Sequence, residues 1–164
     1  MRKFNKRRCL ELMRESDELS LQGKLLCDCE KDKYQELSKY LILLSDHIFW
    51  QSRKCYLQVL ESFINQKINI GEFIIQFVQL RNENLKIFEM QQEDLIYEAY
   101  GILSDTSEID FKLNAKSRGF KKLISSLTST LEAEMSLKSF DEEYLRSYLE
   151  ENFRKKILQY CEKC

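Results

Sequence analysis

A chain of 164 residues with 43% hydrophobic, 32% charged and 12% aromatic residues has the balance of one folded domain, too apolar to stay disordered. The absence of proline and the presence of four glycines exclude an all-β fold built on many tight turns. The longest apolar run, Tyr40–Leu44, is far short of the roughly 18 residues a membrane-spanning helix needs. The formal net charge of −1 is a sum of opposed blocks.

The first block is a basic head: Arg2, Lys3, Lys6, Arg7 and Arg8 stand without an acid among the first eight residues. No apolar stretch follows it, so it does not read as a secretory signal. The chain is expected to act where it is made, in the cytoplasm, with a plastid stroma as the alternative. Residues 1–30 read as a basic N-terminal arm, loosely attached, with a short helix around Cys9 to Leu19 that is interrupted at Gly23. Residues 31–164 read as the helical domain. Six cysteines at 9, 27, 29, 55, 161 and 164 have no export signal beside them and are expected as free thiols in a reducing compartment. Cys27, Cys29, Cys161 and Cys164 could together hold zinc, but the C-x-C spacing is unusual for it, and no metal or cofactor is expected.

A helix starts near Lys31, with Tyr34, Leu37, Leu41 and Leu44 spaced by three, four and three. Tyr56, Leu57, Leu60, Phe63 and Ile64 form the core face of the next helix. Asn69 and Glu72 make a reciprocal cap for a third, which runs through Phe73 and Phe77. The short link 66–70 makes these two an antiparallel pair. A polar break is expected around Arg81–Asn84, then a helix from Glu93 to Leu103 with Leu95, Ile96, Ala99 and Tyr100 on one face. Residues 104–110 read as a loop and the basic stretch to Lys122 continues it, with Gly119 as a breaker. Leu123, Ile124, Leu127, Leu131 and Met135 mark another helix. Ser139–Glu142 reads as a capping box for the last, faced by Tyr144, Leu145, Tyr148, Leu149 and Phe153. The sum is an all-α antiparallel bundle of about five helices.

Chemistry is sparse. His47, the one histidine, lies among Ile48, Phe49 and Trp50 and has no nucleophile motif beside it. Glu142 and Glu143 are neighbours and cannot face each other on a helix. Phosphate loops, hydrolase elbows and dinucleotide fingerprints are missing from the sequence, so catalysis is not expected. Charge is the informative feature. Between Asn82 and Asp110 stand Glu83, Glu89, Glu93, Asp94, Glu98, Asp105, Glu108 and Asp110, opposed by Lys86 alone. The sign then reverses at Lys112, Lys116, Arg118, Lys121 and Lys122, where Phe120 could stack on a base if the segment bound nucleic acid or another anion.

The stretch from Leu57 to Phe73, LQVLESFINQKINIGEF, followed by Arg81, resembles the opening helical hairpin of the colicin D immunity protein family. Phe140-Asp-Glu-Glu-Tyr-Leu-Arg146 is similar to that family's last helix, and the acids from Glu93 to Asp110 sit where the family carries an acidic helix and loop. The likeness covers roughly residues 56–158. It implies a small helical inhibitor that binds a basic, tRNA-cleaving toxin domain and offers carboxylates where RNA phosphates would lie. Charge and position then make Glu89, Glu93, Asp94, Glu98, Asp105, Glu108 and Asp110 the contact residues for a basic protein partner. The alternative is an accessory subunit of a larger assembly, using the basic head and Lys112–Lys122. The Lys, Ile, Phe and Tyr bias suggests an AT-rich genome, as in plastids and some bacteria.

Overall fold

In the computed structural model, residues 5–103, 115–136 and 141–162 are described, and every regular element among them is helical. The α-helices are α1 (Lys6–Leu21), α2 (Leu26–Cys29), α3 (Lys31–Gln51), α4 (Arg53–Ile64), α5 (Ile70–Ala99), α6 (Phe120–Met135), α7 (Glu142–Leu149) and α8 (Lys155–Glu162). A short 3-10 turn covers Ala115–Ser117, and a π-helical segment, Glu150–Arg154, joins α7 to α8. No helix among the described residues is long and apolar enough to cross a membrane.

The chain folds into two compact units, each assembled from separated stretches. The first contains the described residues of Met1–Ser45 and Lys86–Asn114. The second contains those of Asp46–Leu85 and Ala115–Cys164. These limits cut through α3 and α5, whereas the sequence suggested a division at residue 30.

In the first unit α1 is a packed helix rather than a loose arm. Asn5 caps it by accepting from the Arg8 amide at 3.1 Å, and Cys9, Leu12 and Met13 are buried. Arg8 reaches Glu36 at 3.2 Å and Lys33 reaches Glu15 at 3.0 Å. Ascending along α1 therefore means descending along α3, so the two run antiparallel. Leu26, Leu37, Leu44 and Leu95 complete the buried apolar set among the described residues of this unit.

The burial of Cys9, which is 1% exposed, pushes its thiol up to about 12. An unfolded thiol ionises near about 8.5. The folded state thus holds its proton longer, and the associated stability is complete below that value and drains away as pH rises towards 12. Tyr56 is shifted in the same direction, chiefly by burial. From these two groups, stability in urea titrations is expected to be unchanged up to about pH 8.5, then to fall by up to about 1.4 kcal/mol per pH unit through Cys9, with Tyr56 adding to the fall only above about pH 10. Cys9→Ala removes one share of that slope, and an unchanged slope would contradict the assignment.

The second unit is built around aromatic rings. Phe63 stacks on Phe73 at 4.7 Å, and Tyr56 meets Phe77 edge-on at 5.6 Å. Ser52 and Tyr56 both bond Asn84, at 3.0 and 3.1 Å. Partners of α4 thus occur in reverse order along α5, and the pair is antiparallel. The reciprocal cap is present: the Asn69 amide donates to Glu72 and the Glu72 amide to Asn69, at 2.9 and 3.0 Å.

The polar break at Arg81–Asn84 is absent, and α5 runs through it for 30 residues. Asn84 is buried, donating to the Tyr56 hydroxyl and the Leu80 carbonyl while accepting from Ser52. A buried polar side chain with several partners is compatible with a helix interior.

Ser139 lies outside the described residues. It is Asp141 that caps α7, accepting from the amides of Glu143 and Tyr144 at 2.9 and 3.1 Å. Leu145, Leu149, Phe153 and Ile157 are all buried although spaced by four. A regular helix would rotate about 40° per such step and carry Ile157 off the face. The wider turn at Glu150–Arg154 absorbs that drift.

Candidate functional site

The acidic candidates divide between two places. Asp105, Glu108 and Asp110, with Lys112 of the basic set, lie outside the described residues. Glu89, Glu93, Asp94 and Glu98 lie on the last turns of α5, within the first unit. Leu95 of this segment is buried, and Phe88, Gln92 and Ala99 are half-buried around it. At about 100° per residue, the opposite face is centred on Met90 and Tyr97. Glu89 and Glu93 fall on one flank of that face and Asp94 on the other, and all three are exposed. Lys86 is a single cation on the same face, also exposed.

Glu98 points elsewhere. Its carboxylate meets the Lys6 ammonium at 2.7 Å and is largely covered, so it serves the packing of α1 against α5. Tyr100, expected in a core stripe, is exposed and donates to Asp17 at 2.9 Å; that bond, then partial desolvation, raises its pKa. Near this end a groove of about 430 Å³ is lined by Lys6, Arg7, Leu10, Arg14 and Ala99 among others. Its cations are already matched: Arg7 with Glu11 at 3.4 Å and Arg14 with Glu18 at 3.5 Å. Three of the five cations of the basic head, Lys6, Arg7 and Arg8, thus have carboxylate partners inside the unit.

The basic candidates lie in the second unit. Lys116 belongs to the 3-10 turn and is exposed, as are Arg118 and Lys122. Lys121 and Lys122 are in the first turn of α6, not in a loop, because Gly119 takes φ +83° and the helix starts directly after it. The Lys121 ammonium stands 5.8 Å from the centre of the Phe49 ring.

Two features bear against an anion cradle here. Asp46, buried, accepts from the Gly119 amide at 2.7 Å and the Lys121 amide at 3.0 Å, so a carboxylate of the chain already fills the start of α6. Phe120 is completely buried, edge-on to Tyr56 and Tyr160 at 6.0 and 4.9 Å, and cannot stack on a base as the sequence suggested.

His47 packs near Trp50, their ring centres 6.2 Å apart, and its Nε2 is 3.1 Å from the Gln51 side chain. Among the cysteines, Cys27, Cys29 and Cys55 are exposed and Cys161 is half-buried. No group of three or more Cys, His, Asp or Glu side chains able to hold a metal ion occurs among the described residues.

Sequence reasoning missed Ile87, Met90 and Tyr97. Their exposures are 43%, 55% and 47%, and with Asp94 they recur at spacings of three, four and three. The signal lies in that spacing, but the stripe Leu95–Ile96–Ala99 on the other side of the helix is the one that a core assignment picks out. Comparison with protein-family models, curated proteins and solved structures yields no match.

Proposed function

We propose that this chain is a non-catalytic protein-binding module that engages a basic partner through the outer face of α5, in the manner of colicin D-type immunity proteins neutralising a tRNA-cleaving toxin domain. The observation that carries this reading is the exposure of Glu89, Glu93 and Asp94 on one helical segment whose nearby Glu98 is taken up by Lys6. Three carboxylates on a rigid helix attract a cationic surface, speed its approach and orient it. Glu108, Asp105 and Asp110 extend the acidic run in sequence. The reading includes antiparallel helix packing and a cytoplasmic setting; the eight α-helices among the described residues exceed the bundle of about five that the sequence suggested.

A second reading, an accessory subunit of a larger assembly of a plastid or containing nucleic acid, is favoured by the exposure of Lys116, Arg118 and Lys122. Nucleic-acid binding there would use phosphate contacts alone, since Phe120 is buried.

The test is affinity purification from the native source, followed by titration of the recovered partner at two salt concentrations. The triple variant Glu89→Lys, Glu93→Lys, Asp94→Lys is expected to weaken binding about tenfold or more, with the loss shrinking at high salt. Unchanged affinity would remove the acidic face from consideration. Recovery of many subunits of one complex, lost when Lys116, Arg118 and Lys122 are neutralised, would favour the second reading.

A further inference from the structure

We infer that the outer face of α5 is a docking ridge for a basic amphipathic helix of the partner, with Met90 and Tyr97 as its apolar anchors. This rests on the function proposed above and adds the partner's secondary structure and the source of its specificity.

Met90 and Tyr97 lie about 20° apart around the helix, directly opposite the packed side, and Ile87 lies about 60° away. Among the described residues of the first unit, the buried side of this segment is supplied by Leu95 and its neighbours, and Ile87, Met90 and Tyr97 stand exposed away from it. From Ile87 to Tyr97 the stripe is about 15 Å long, close to three helical turns. Three apolar side chains over that length, at 87, 90 and 97 with Asp94 at the edge between the last two, can seat against the apolar stripe of another helix. A strand is a poor match, because the backbone of α5 is bonded within the helix and offers no edge.

Charge selects the chemistry of the occupant. Glu89 and Glu93 on one flank and Asp94 on the other outnumber Lys86, so the incoming helix needs Lys or Arg beside its apolar stripe. A second copy of this chain would set carboxylates against carboxylates, and an anionic membrane would be repelled.

The probe is an 18-residue synthetic peptide with leucines spaced three, four and three and flanked by lysine and arginine. Its control has the same composition in scrambled order. Fluorescence anisotropy with the full chain should show at least tenfold tighter binding of the ordered peptide. The double variant Met90→Ser, Tyr97→Ser should abolish that advantage while leaving the melting temperature unchanged, as both side chains are exposed.

Equal binding of both peptides, or no effect of the double variant, would overturn the ridge. Sedimentation showing a dimer that the double variant dissolves would also overturn it, in favour of a second copy. Native-partner binding lost in the charge-reversal variant but intact in the Met90/Tyr97 variant leaves the proposed function standing and the ridge refuted. The ordered peptide retaining its advantage while the native partner ignores charge reversal would refute the function and keep the ridge.

Discussion

Phe73→Ala is expected to destabilise the chain by about 3–5 kcal/mol, the range for truncating a fully buried phenylalanine. Phe73 has no solvent exposure and lies in the first turns of α5, stacked on Phe63 at 4.7 Å and 5.8 Å from Phe77. Its removal takes away buried apolar surface and opens a cavity between α4 and α5. The neighbours can fill little of it, because Phe63 is also held by the Arg146 guanidinium, 4.8 Å from its ring centre. That guanidinium also donates to the Phe63 carbonyl at 3.1 Å and pairs with Glu142. Phe73→Leu keeps most of the volume and should lose much less. Urea denaturation would measure both; an alanine variant within about 1 kcal/mol of the parent would mean that the ring is not part of the core.

The second large effect is at Asp46. Asp46→Ala should lower stability by about 2–4 kcal/mol, because it strips the Gly119 and Lys121 amides of their acceptors and removes a negative charge from the start of α6. A capping residue normally belongs to its own helix, and here the group is supplied from 73 positions earlier in the chain. Loss of the cap is therefore also loss of a tertiary tie. Asp46→Asn retains one oxygen acceptor and should recover part of the difference. Hydrogen exchange at the Gly119 and Lys121 amides, faster in the alanine variant than elsewhere in α6, would locate the effect. A uniform change across the helix would mean that the bonds are not the cause.

The elements that could be read from the sequence are those whose signals are local. The Asn69–Glu72 cap, the Tyr56–Leu60–Phe63 stripe and the Ile124–Leu127–Leu131 stripe each depend on residues within two turns of one another. What was misread depends on partners far along the chain. Asn84 looked like the end of a helix because its bonds to Ser52 and Tyr56 span 32 and 28 positions. The start of α6 looked like a solvated basic loop because Asp46 is invisible from that neighbourhood. The last helix seemed to end its apolar face at Phe153, since nothing in a four-residue spacing announces a π turn. For the candidate site, the carboxylates were visible as charge. The covering of Glu98 by Lys6 was not, and the exposure of Met90 and Tyr97 leaves no local mark, because apolar residues on a helix ordinarily belong to its core.

Each compact unit is stitched from two pieces of chain, and this governs the order in which they can be completed during synthesis. Residues up to about 100 contain every described element of the first unit, so it can assemble while the later chain is still being made. The second unit begins at Asp46 but must wait for the chain from α6 to α8, whose ties to α4 include Arg146 of α7 to Phe63 and Arg154 of the π-helical segment to Glu61, spanning 83 and 93 positions. Until then Phe63, Phe73 and Phe77 lack Phe120, Ile124, Leu127, Leu145 and Leu149 of their core cluster. A nascent chain halted between α5 and α6 would therefore carry an uncovered aromatic surface, the kind of patch that chaperones retain.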